Sequence, residues 1–463
     1  MLFRTRILTL ILSSLIVDFV FHNLHKIKLT LVLFGLITGV YAQANDTILI
    51  KNVNVIPMDK EIVLNNQNVV IAGDKIISIE PYKREMNHIS HQVIDGAGKY
   101  VMPGFSEMHY HWRNKQGGID RDFKLLVANG VTTVRNMAEY NWQNHVAIRD
   151  SISKGEKFGP NYYTAGPYLN SNDLKTIEDA ISIINNHKIK GYDYLKLADN
   201  LPKDVYLKVL EEAQKQGVVV IGHAQRGMPL EMSLRMRSIE HVEEFVYVFS
   251  HTQRNDSLFL KQAIEQIKVS GSNIVPTLVV FDFIVKCLDD QTFIKLNESE
   301  SAQYMLPSDF KYWYSDENPY RKNLKGTIRN GVDALTRLEG YFKWMKTFTK
   351  MLADADVPLM TGSDTFGFVV PGFSLHEEFQ FLDECGLTPF EILKASTITP
   401  ARYLNTIATE GTVSEGKHAN LVLLGKNPLE DIKNTQTIEG VVLKGMWYDR
   451  NNLNTLLKEI FIK

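Results

Sequence analysis

The chain has 463 residues, of which 44% are hydrophobic and 22% are charged, and its formal net charge is −2. This length suits a large catalytic domain with a second module, and the composition excludes a disordered chain. Because no long run carries one charge sign, nucleic acid is not an expected partner. The two cysteines, Cys287 and Cys385, exclude a thiolate zinc cluster and permit at most one disulfide. Any metal site must therefore use His, carboxylate or Lys side chains.

The first 42 residues are predicted to be a targeting region. Two lysines precede the apolar run 29–40, which ends in Val40-Tyr41-Ala42, and this order is typical of a secretory signal peptide. We expect cleavage near Ala42 and export to the periplasm or the medium, with membrane contact only through this segment. The alternative is an uncleaved anchor, although each apolar run is shorter than the roughly 20 residues of a spanning helix.

The two flanks of the central region are predicted to be rich in β-structure. Residues 43–102 and residues 406–463 both contain short stretches of alternating apolar and polar residues between Gly, Asp and Asn. Because chain ends often lie close together in a domain, we expect these stretches to pair. They are predicted to form the two parts of one small β-sandwich domain.

The central region, residues 103–405, alternates strand and helix signals and offers eight strand candidates. Repeated βα units imply a parallel sheet, and eight of them imply a closed barrel. The predicted fold class is therefore α/β, with a (β/α)8 TIM barrel. Residues 282–350 are too long for one crossover, so we interpret them as an insertion near the site; a purely structural decoration is the alternative.

The first predicted barrel strand ends in the stretch MPGFSEMHYHW, residues 102–112. His109 and His111 are two residues apart, so that in a strand their side chains point to the same face. Two converging imidazoles make half of a metal site. The pair alone is also compatible with two polar residues at a solvated edge.

Further candidate ligands fall at the ends of other predicted strands, where the functional residues of a barrel lie. They are Lys196, His223, His241 and Asp364. Taken singly, each has a structural explanation, such as a helix cap for Asp364 or a snorkelling side chain for Lys196. Six such residues at equivalent ends of five strands together favour a metal centre.

These motifs resemble the amidohydrolase superfamily, in particular its imidazolonepropionase-like and prolidase-like branch. VMPGFSEMHYHW is similar to the metal motif of the family's first strand, and GVTTVRNM is similar to its second strand. The sequence after Asp364 and the stretch GTVSEGKHANLVLLGKNPLEDIKNT resemble the family's carboxyl-terminal region. The resemblance covers nearly the whole chain after the targeting region.

The resemblance implies a centre of two divalent metal ions. His109, His111 and Asp364 would hold one ion, and His223 and His241 the other. Lys196 would bridge the two as a carbamate formed with carbon dioxide, since a carbamate is an anionic oxygen ligand. Imidazole-rich ligation makes zinc the first expectation, with manganese, cobalt and iron as alternatives.

The implied activity is hydrolysis of C–N amide bonds in a small or peptide-like substrate, either a dipeptide or an N-acyl amino acid. A metal-bridging hydroxide would attack the carbonyl, and Asp364 would transfer the proton to the leaving amine. A mononuclear deaminase of the same superfamily is one alternative, although Lys196 speaks against it. A non-catalytic binding protein on the same barrel is another, and a homo-oligomer stays open.

Three residues are candidates for substrate binding. Arg135 could pair with a substrate carboxylate, and its alternative is a salt bridge under the barrel mouth. Tyr168 could polarise a carbonyl or simply pack. Gln225 stands where related sequences often carry His, and its side chain is expected to face the pocket.

Overall fold

The computed structural model describes residues 47–83 and 90–461. The predicted targeting region, residues 1–42, lies outside the described residues. Among the helices of the described ranges, none is long and apolar enough to cross a membrane.

The regular elements alternate along most of the chain. The strands are β1 (Thr47–Val55), β2 (Leu64–Ala72), β3 (Lys75–Pro81), β4 (Gln92–Asp95), β5 (Tyr100–Pro103), β6 (Phe105–Tyr110), β7 (Val131–Asn136), β8 (Asn161–Thr164), β9 (Tyr194–Leu197), β10 (Val219–Gly222), β11 (Ser238–Glu240), β12 (Asn273–Val275), β13 (Ile328–Arg329), β14 (Val332–Asp333), β15 (Leu421–Leu424), β16 (Ile438–Leu443) and β17 (Met446–Asp449). The helices are α1 (Ile119–Ala128), α2 (His145–Ser153), α3 (Ile177–Lys190), α4 (Lys203–Gln216), α5 (Leu230–Ser233), α6 (Glu244–Val248), α7 (His251–Arg254), α8 (Ser257–Ser270), α9 (Leu278–Leu288), α10 (Asp290–Lys295), α11 (Pro307–Trp313), α12 (Pro319–Leu324), α13 (Ala334–Asp354), α14 (Phe373–Glu384), α15 (Pro389–Ser396), α16 (Ile398–Tyr403) and α17 (Arg450–Ile460).

The two ends of the described chain share one eight-stranded sheet. Its order is β17-β16-β15-β5-β1-β2-β3, and β4 also pairs with β1. The antiparallel pairing of β5 with β15 joins the amino-terminal strands to the carboxyl-terminal ones, as the alternating patterns at both ends predict. Alternate residues of these strands, such as Ile48 and Ile50, pack into a hydrophobic cluster of their own. The strands form one hydrogen-bonded sheet, so the predicted two-layered sandwich is not confirmed.

Seven parallel strands form the central region in two sheets. The first sheet contains β6, β7 and β8, and the second contains β9 to β12. The eighth predicted strand is reduced to one isolated bridge, between Ile274 and Leu359. The backbone N–H of Asp193 donates to the Thr164 carbonyl between β8 and β9, and the segment after Leu359 bridges the other side through the bonds from Met108 N to Thr361 O and from Met360 N to Ile274 O. The α/β class is confirmed and the arrangement is barrel-like, but a single closed sheet is not found among the described residues.

The helices between the strands begin and end where local chemistry requires it. Thr176 caps α3 in a capping box with Asp179, and Asp256 caps α8. Both helices end at a glycine in the left-handed conformation, Gly191 and Gly271, which lets the chain turn back towards the next strand. The repeated helix-to-strand turns bring the carboxyl ends of the parallel strands to the same side.

Candidate metal centre

Two buried histidines lie at the end of β6. His109 is within this strand and His111 follows it, and both are almost completely buried. Because alternate strand residues point to the same side, their rings lie together, with centroids 5.3 Å apart. Gly362 allows this placement, since a Cβ at that position would lie 2.7 Å from the His109 Cβ.

Asp364 and His241 approach this pair from two other segments. Asp364 Oδ1 lies 3.2 Å from His111 Nε2 and 3.8 Å from His109 Nε2. His241 Nε2 lies 4.0 Å from Asp364 Oδ2. Ligand atoms of His109, His241 and Asp364 all lie within 4.8 Å of one another, so these three residues could hold a metal ion.

His241 and Asp364 have the same unusual backbone conformation. Their φ angles are 68° and 56°, in the left-handed region that costs a non-glycine residue about 1–2 kcal/mol. Such residues persist only where the surrounding structure holds them, and they are frequent at functional sites. The sharp turn at each position directs the side chain towards the end of β6.

Lys196 and His223 complete the set of predicted ligands. Lys196 is buried in β9, and its Nζ lies 3.1 Å from His109 Nε2. His223 follows β10, and its ring centroid is 4.9 Å from that of His241. All six predicted ligands therefore lie at one end of the parallel strands; their roles as ligands stay predictions.

Hydrogen bonds fix the orientation of two of the imidazoles. Glu240 Oε2 lies 3.0 Å from His109 Nδ1, and Thr277 Oγ1 lies 2.7 Å from His241 Nδ1. Both contacts leave Nε2 directed at the Asp364 carboxylate, as in histidines that bind metals. His111 Nδ1 is buried and has no hydrogen-bond partner among the described residues.

Burial sets the protonation of the centre. It lowers the pKa of His109, His111 and His223 well below the usual range of histidine, and that of His241 to about 4. Burial also lowers the pKa of Lys196 to about 8. The imidazoles are therefore neutral at pH 7, which is the form that binds a metal ion. Neutral imidazoles around a carboxylate fit a divalent cation.

Arg135 is not available to a substrate. It is fully buried, and its guanidinium binds both carboxylate oxygens of Glu240 at 2.8 and 2.9 Å. Its remaining N–H groups donate to the Met108 carbonyl and to the hydroxyls of Ser238 and Tyr403. The prediction of a substrate-binding role was therefore wrong, and the alternative of a salt bridge under the barrel mouth is what the structure contains.

Gln225 also differs from its prediction, because its side chain is fully buried rather than facing a pocket. Its amide accepts from the Leu201 backbone N–H and donates to the Asp199 carbonyl, so it ties two loops together. Tyr168 is 42% exposed, and partial burial is the main cause that raises the pKa of its phenol. Its predicted contact with substrate stays a prediction.

Sequence reasoning missed Arg113, the residue two positions beyond His111. Its Nη2 lies 3.0 Å from Asp364 Oδ1, and its side chain is 39% exposed. The alternation that places His109 and His111 on one face also includes Arg113, so a signal was present in the sequence. Glu240 was missed as well, because its contact with His109 spans two strands far apart in sequence.

The 282–350 insertion contributes to a cavity beside the centre. This cavity has a volume of about 260 Å³ and lies between His111, Arg113, the start of α1 and the loop after Asp364. Trp313 from the insertion lies against its wall, with the ring centroid 5.2 Å from that of Phe366. Residues of the insertion therefore line a cavity that His111 and Arg113 also line.

Comparisons with known proteins agree with the motifs. Residues 343–448 match the amidohydrolase family. An adenine deaminase of Staphylothermus marinus is 33% identical over 89 residues, which is 19% of this chain and 15% of that protein. The matched segment therefore spans only a small part of the relative.

Solved structures share the fold over most of the chain. A putative prolidase from Bifidobacterium longum has 21% identity and a TM-score of 0.67, covering 90% of this chain and 99% of its own. A Xaa-Pro dipeptidase with bound methionine has 17% identity and a TM-score of 0.64, with coverages of 87% and 100%. The bottromycin amidohydrolase has 20% identity and a TM-score of 0.68, with coverages of 90% and 91%.

The fold and the buried His–His–Asp group are those of a protein able to hold a metal ion at the ends of parallel strands. The family match over residues 343–448 confirms the resemblance to the amidohydrolase superfamily that the sequence motifs predict, and the solved structures show that the fold is shared.

Proposed function

We propose that the protein is a metal-dependent hydrolase of amide C–N bonds that acts on dipeptides or N-acyl amino acids. The observation that carries this proposal is the convergence of three imidazoles, those of His109, His111 and His241, on the Asp364 carboxylate. Lys196 lies beside this group, with its Nζ 3.1 Å from His109 Nε2. Xaa-Pro dipeptidase and prolidase are among the proteins that share its fold, which supports the substrate class. Fold alone does not define function, so the proposal depends on the site.

The metal complement proposed is two divalent ions, with zinc as the first candidate. His109, His111 and Asp364 would hold one ion, and His223 and His241 the other. When bound, such ions polarise a carbonyl and bring the pKa of water close to 7. The 4.9 Å separation of the His223 and His241 rings and the neutral state of all four imidazoles support this assignment.

Asp364 is the proposed general acid and base. Its two oxygens face different histidines, Oδ1 towards His111 and Oδ2 towards His241, and the side chain is 12% exposed. A carboxylate in this position reaches both the attacking water and the leaving nitrogen. It would take a proton from the water and deliver it to the amine.

Lys196 is proposed to carry a carbamate. Burial brings its pKa to about 8, so a larger fraction of the amine is neutral at pH 7 than for an exposed lysine. A neutral amine can attack carbon dioxide, forming an N–C bond and releasing a proton. The resulting anion would offer two oxygens beside His109, where an ammonium group would repel a metal ion.

Metal analysis together with a substrate screen tests the proposal. Protein reconstituted with Zn²⁺ in bicarbonate is assayed against dipeptides, N-acyl amino acids and lactones. We expect amide hydrolysis, two ions per chain, and a loss of about 10²- to 10⁴-fold in kcat on Asp364→Asn. Asp383→Asn, on the exposed face of α14, is the matched control. Full activity of Asp364→Asn would end the proposal.

A deaminase of the same superfamily is the second candidate, because the segment shared with adenine deaminase is 33% identical. A mononuclear deaminase needs no bridging carbamate. The metal content of Lys196→Ala separates the two candidates, since the hydrolase is expected to lose metal whereas the deaminase keeps one ion. Release of ammonia from adenine by the unmodified protein would favour the second candidate directly.

A further inference from the structure

Arg113 and Asp364 form an ion pair at the edge of the candidate centre. Arg113 Nη2 and His111 Nε2 both approach Asp364 Oδ1, at 3.0 and 3.2 Å. A divalent ion held by this carboxylate would compete with the guanidinium for the same negative charge and would repel it. If this ion displaces the guanidinium, the N–H group of Arg113 that now binds Asp364 would become available to another anion.

The guanidinium is already placed over an aromatic surface. Arg113 Cζ lies 4.6 Å from the centroid of the Phe366 ring, and the Phe366 ring contacts Trp313 from the insertion. Such stacking orients a guanidinium without using its N–H donors. A carboxylate can then be bound through two of these donors at once.

The cavity described above begins at this arginine. Apart from Trp313 and Phe366, its apolar wall includes Tyr304, Met305 and Leu306. A volume of about 260 Å³ lies slightly below the roughly 300–1,000 Å³ of most ligand pockets. It suits one ring-sized group rather than an extended peptide.

The other charged groups that line the cavity already have partners. Arg121 donates to the backbone carbonyls of Tyr304 and Ile460. Asp122 accepts from the Tyr110 hydroxyl, and Asp309 accepts from the Asn114 amide. Arg113 is thus the charged group at this cavity that metal binding would leave without its partner.

We propose that this cavity binds the carboxylate-bearing half of the substrate, and that this half carries an aromatic side chain. Arg113 binds the carboxylate, and the ring lies against Trp313 and Phe366. The proposal deepens the proposed hydrolase function and rests on it for the identity of the scissile bond. It makes Arg113 a specificity residue for N-acyl aromatic amino acids, or for dipeptides that end in an aromatic residue.

Kinetics with matched substrates test the role of Arg113. N-acetyl-L-phenylalanine and N-acetyl-L-phenylalaninamide differ only in the carboxylate. For Arg113→Gln we expect kcat/KM for the acid to fall about 10- to 100-fold, mostly through KM, and at least tenfold less for the amide. Lys115→Gln, an exposed cation two residues further on, is the control and should change neither value. Equal losses for acid and amide in Arg113→Gln would overturn the proposal.

Binding measurements keep the proposal testable apart from catalysis. Calorimetry on the zinc-loaded protein compares L-phenylalanine with phenethylamine, which lacks the carboxylate. We expect Arg113→Gln to remove the preference for L-phenylalanine, and Trp313→Leu to weaken the binding of both ligands about tenfold. Equal binding of both ligands to the unmodified protein would refute this pocket even if amide hydrolysis is found. Conversely, selective binding without any amide hydrolysis would refute the hydrolase function and leave the pocket in place.

Discussion

The carboxylate of Glu240 joins His109 to Arg135. One oxygen lies 3.0 Å from His109 Nδ1, and both oxygens accept from Arg135 Nη2. All three side chains are fully buried. Glu240 therefore holds the His109 ring in one orientation, while the Arg135 guanidinium balances the charge of Glu240. Metal affinity and stability should both depend on Glu240.

Glu240→Gln is expected to weaken zinc binding about 10- to 100-fold, the usual effect of removing the partner of a metal-binding histidine. It is also expected to reduce the free energy of unfolding, since Arg135 loses its counter-charge while it stays buried. Competition with a chromophoric chelator measures the first effect and urea denaturation the second. Glu178→Gln, at an exposed position in α3, is the control and should leave both unchanged.

Zinc should stabilise the protein through the histidines of the centre. At a free concentration of about 100 times Kd, one bound ion raises the free energy of unfolding by about 2.7 kcal/mol. We expect a matching rise in Tm, its reversal by a chelator, and a much smaller rise in His241→Ala. His251→Ala, at an exposed histidine in α7, should respond like the unmodified protein. A rise of the same size in His241→Ala would exclude this histidine as a ligand.

The positions of the candidate ligands could be predicted because strand geometry is local. Alternation places His109 and His111 on one face, and the ends of parallel strands meet at one side. The role of Arg135 could not be predicted, since nothing in its neighbourhood along the chain indicates Glu240 opposite it. The sequence also predicts an eighth barrel strand around Leu359. In the structure this segment forms one isolated bridge and no regular strand, so the closed sheet is not formed among the described residues.

Glu378 is expected to make stability depend on pH. Burial raises its pKa from 4.5 to about 8, although the backbone N–H of Val279 donates to one of its oxygens. Between these two values the unfolded chain has released the proton and the folded chain still holds it. The contribution of Glu378 to the free energy of unfolding is therefore largest below pH 4.5. It decreases as the pH rises towards 8, with a slope of up to about 1.4 kcal/mol per pH unit.

Glu378→Gln removes this titrating carboxyl group and should make the stability of the protein depend less on pH. Urea denaturation at several values between pH 5 and pH 8 gives the slope for both proteins. Other buried acids that do not act on Glu378, such as Asp122 with its pKa raised to about 6 by burial, contribute to both curves and cancel in the difference. Parallel curves would show that Glu378 is ionised in the folded protein throughout this range.

The insertion rests against the loop after Asp364 through Gly367, and Gly367→Ala should disturb that contact. A Cβ at this position would lie 2.9 Å from Trp313 Cδ2 and 3.1 Å from Phe283 Cζ, and the φ angle is +56°. The left-handed backbone alone costs about 1–2 kcal/mol. Gly73→Ala isolates that cost, because φ there is +57° and a Cβ meets nothing within 4 Å. We expect Gly367→Ala to lose more stability than Gly73→Ala, and to shift Trp fluorescence as Trp313 moves.

If the pocket proposed beside Arg113 is correct, the same variant binds L-phenylalanine more weakly while Gly73→Ala binds it normally. Equal behaviour of the two variants in all three measurements would show that the insertion is not held against this loop.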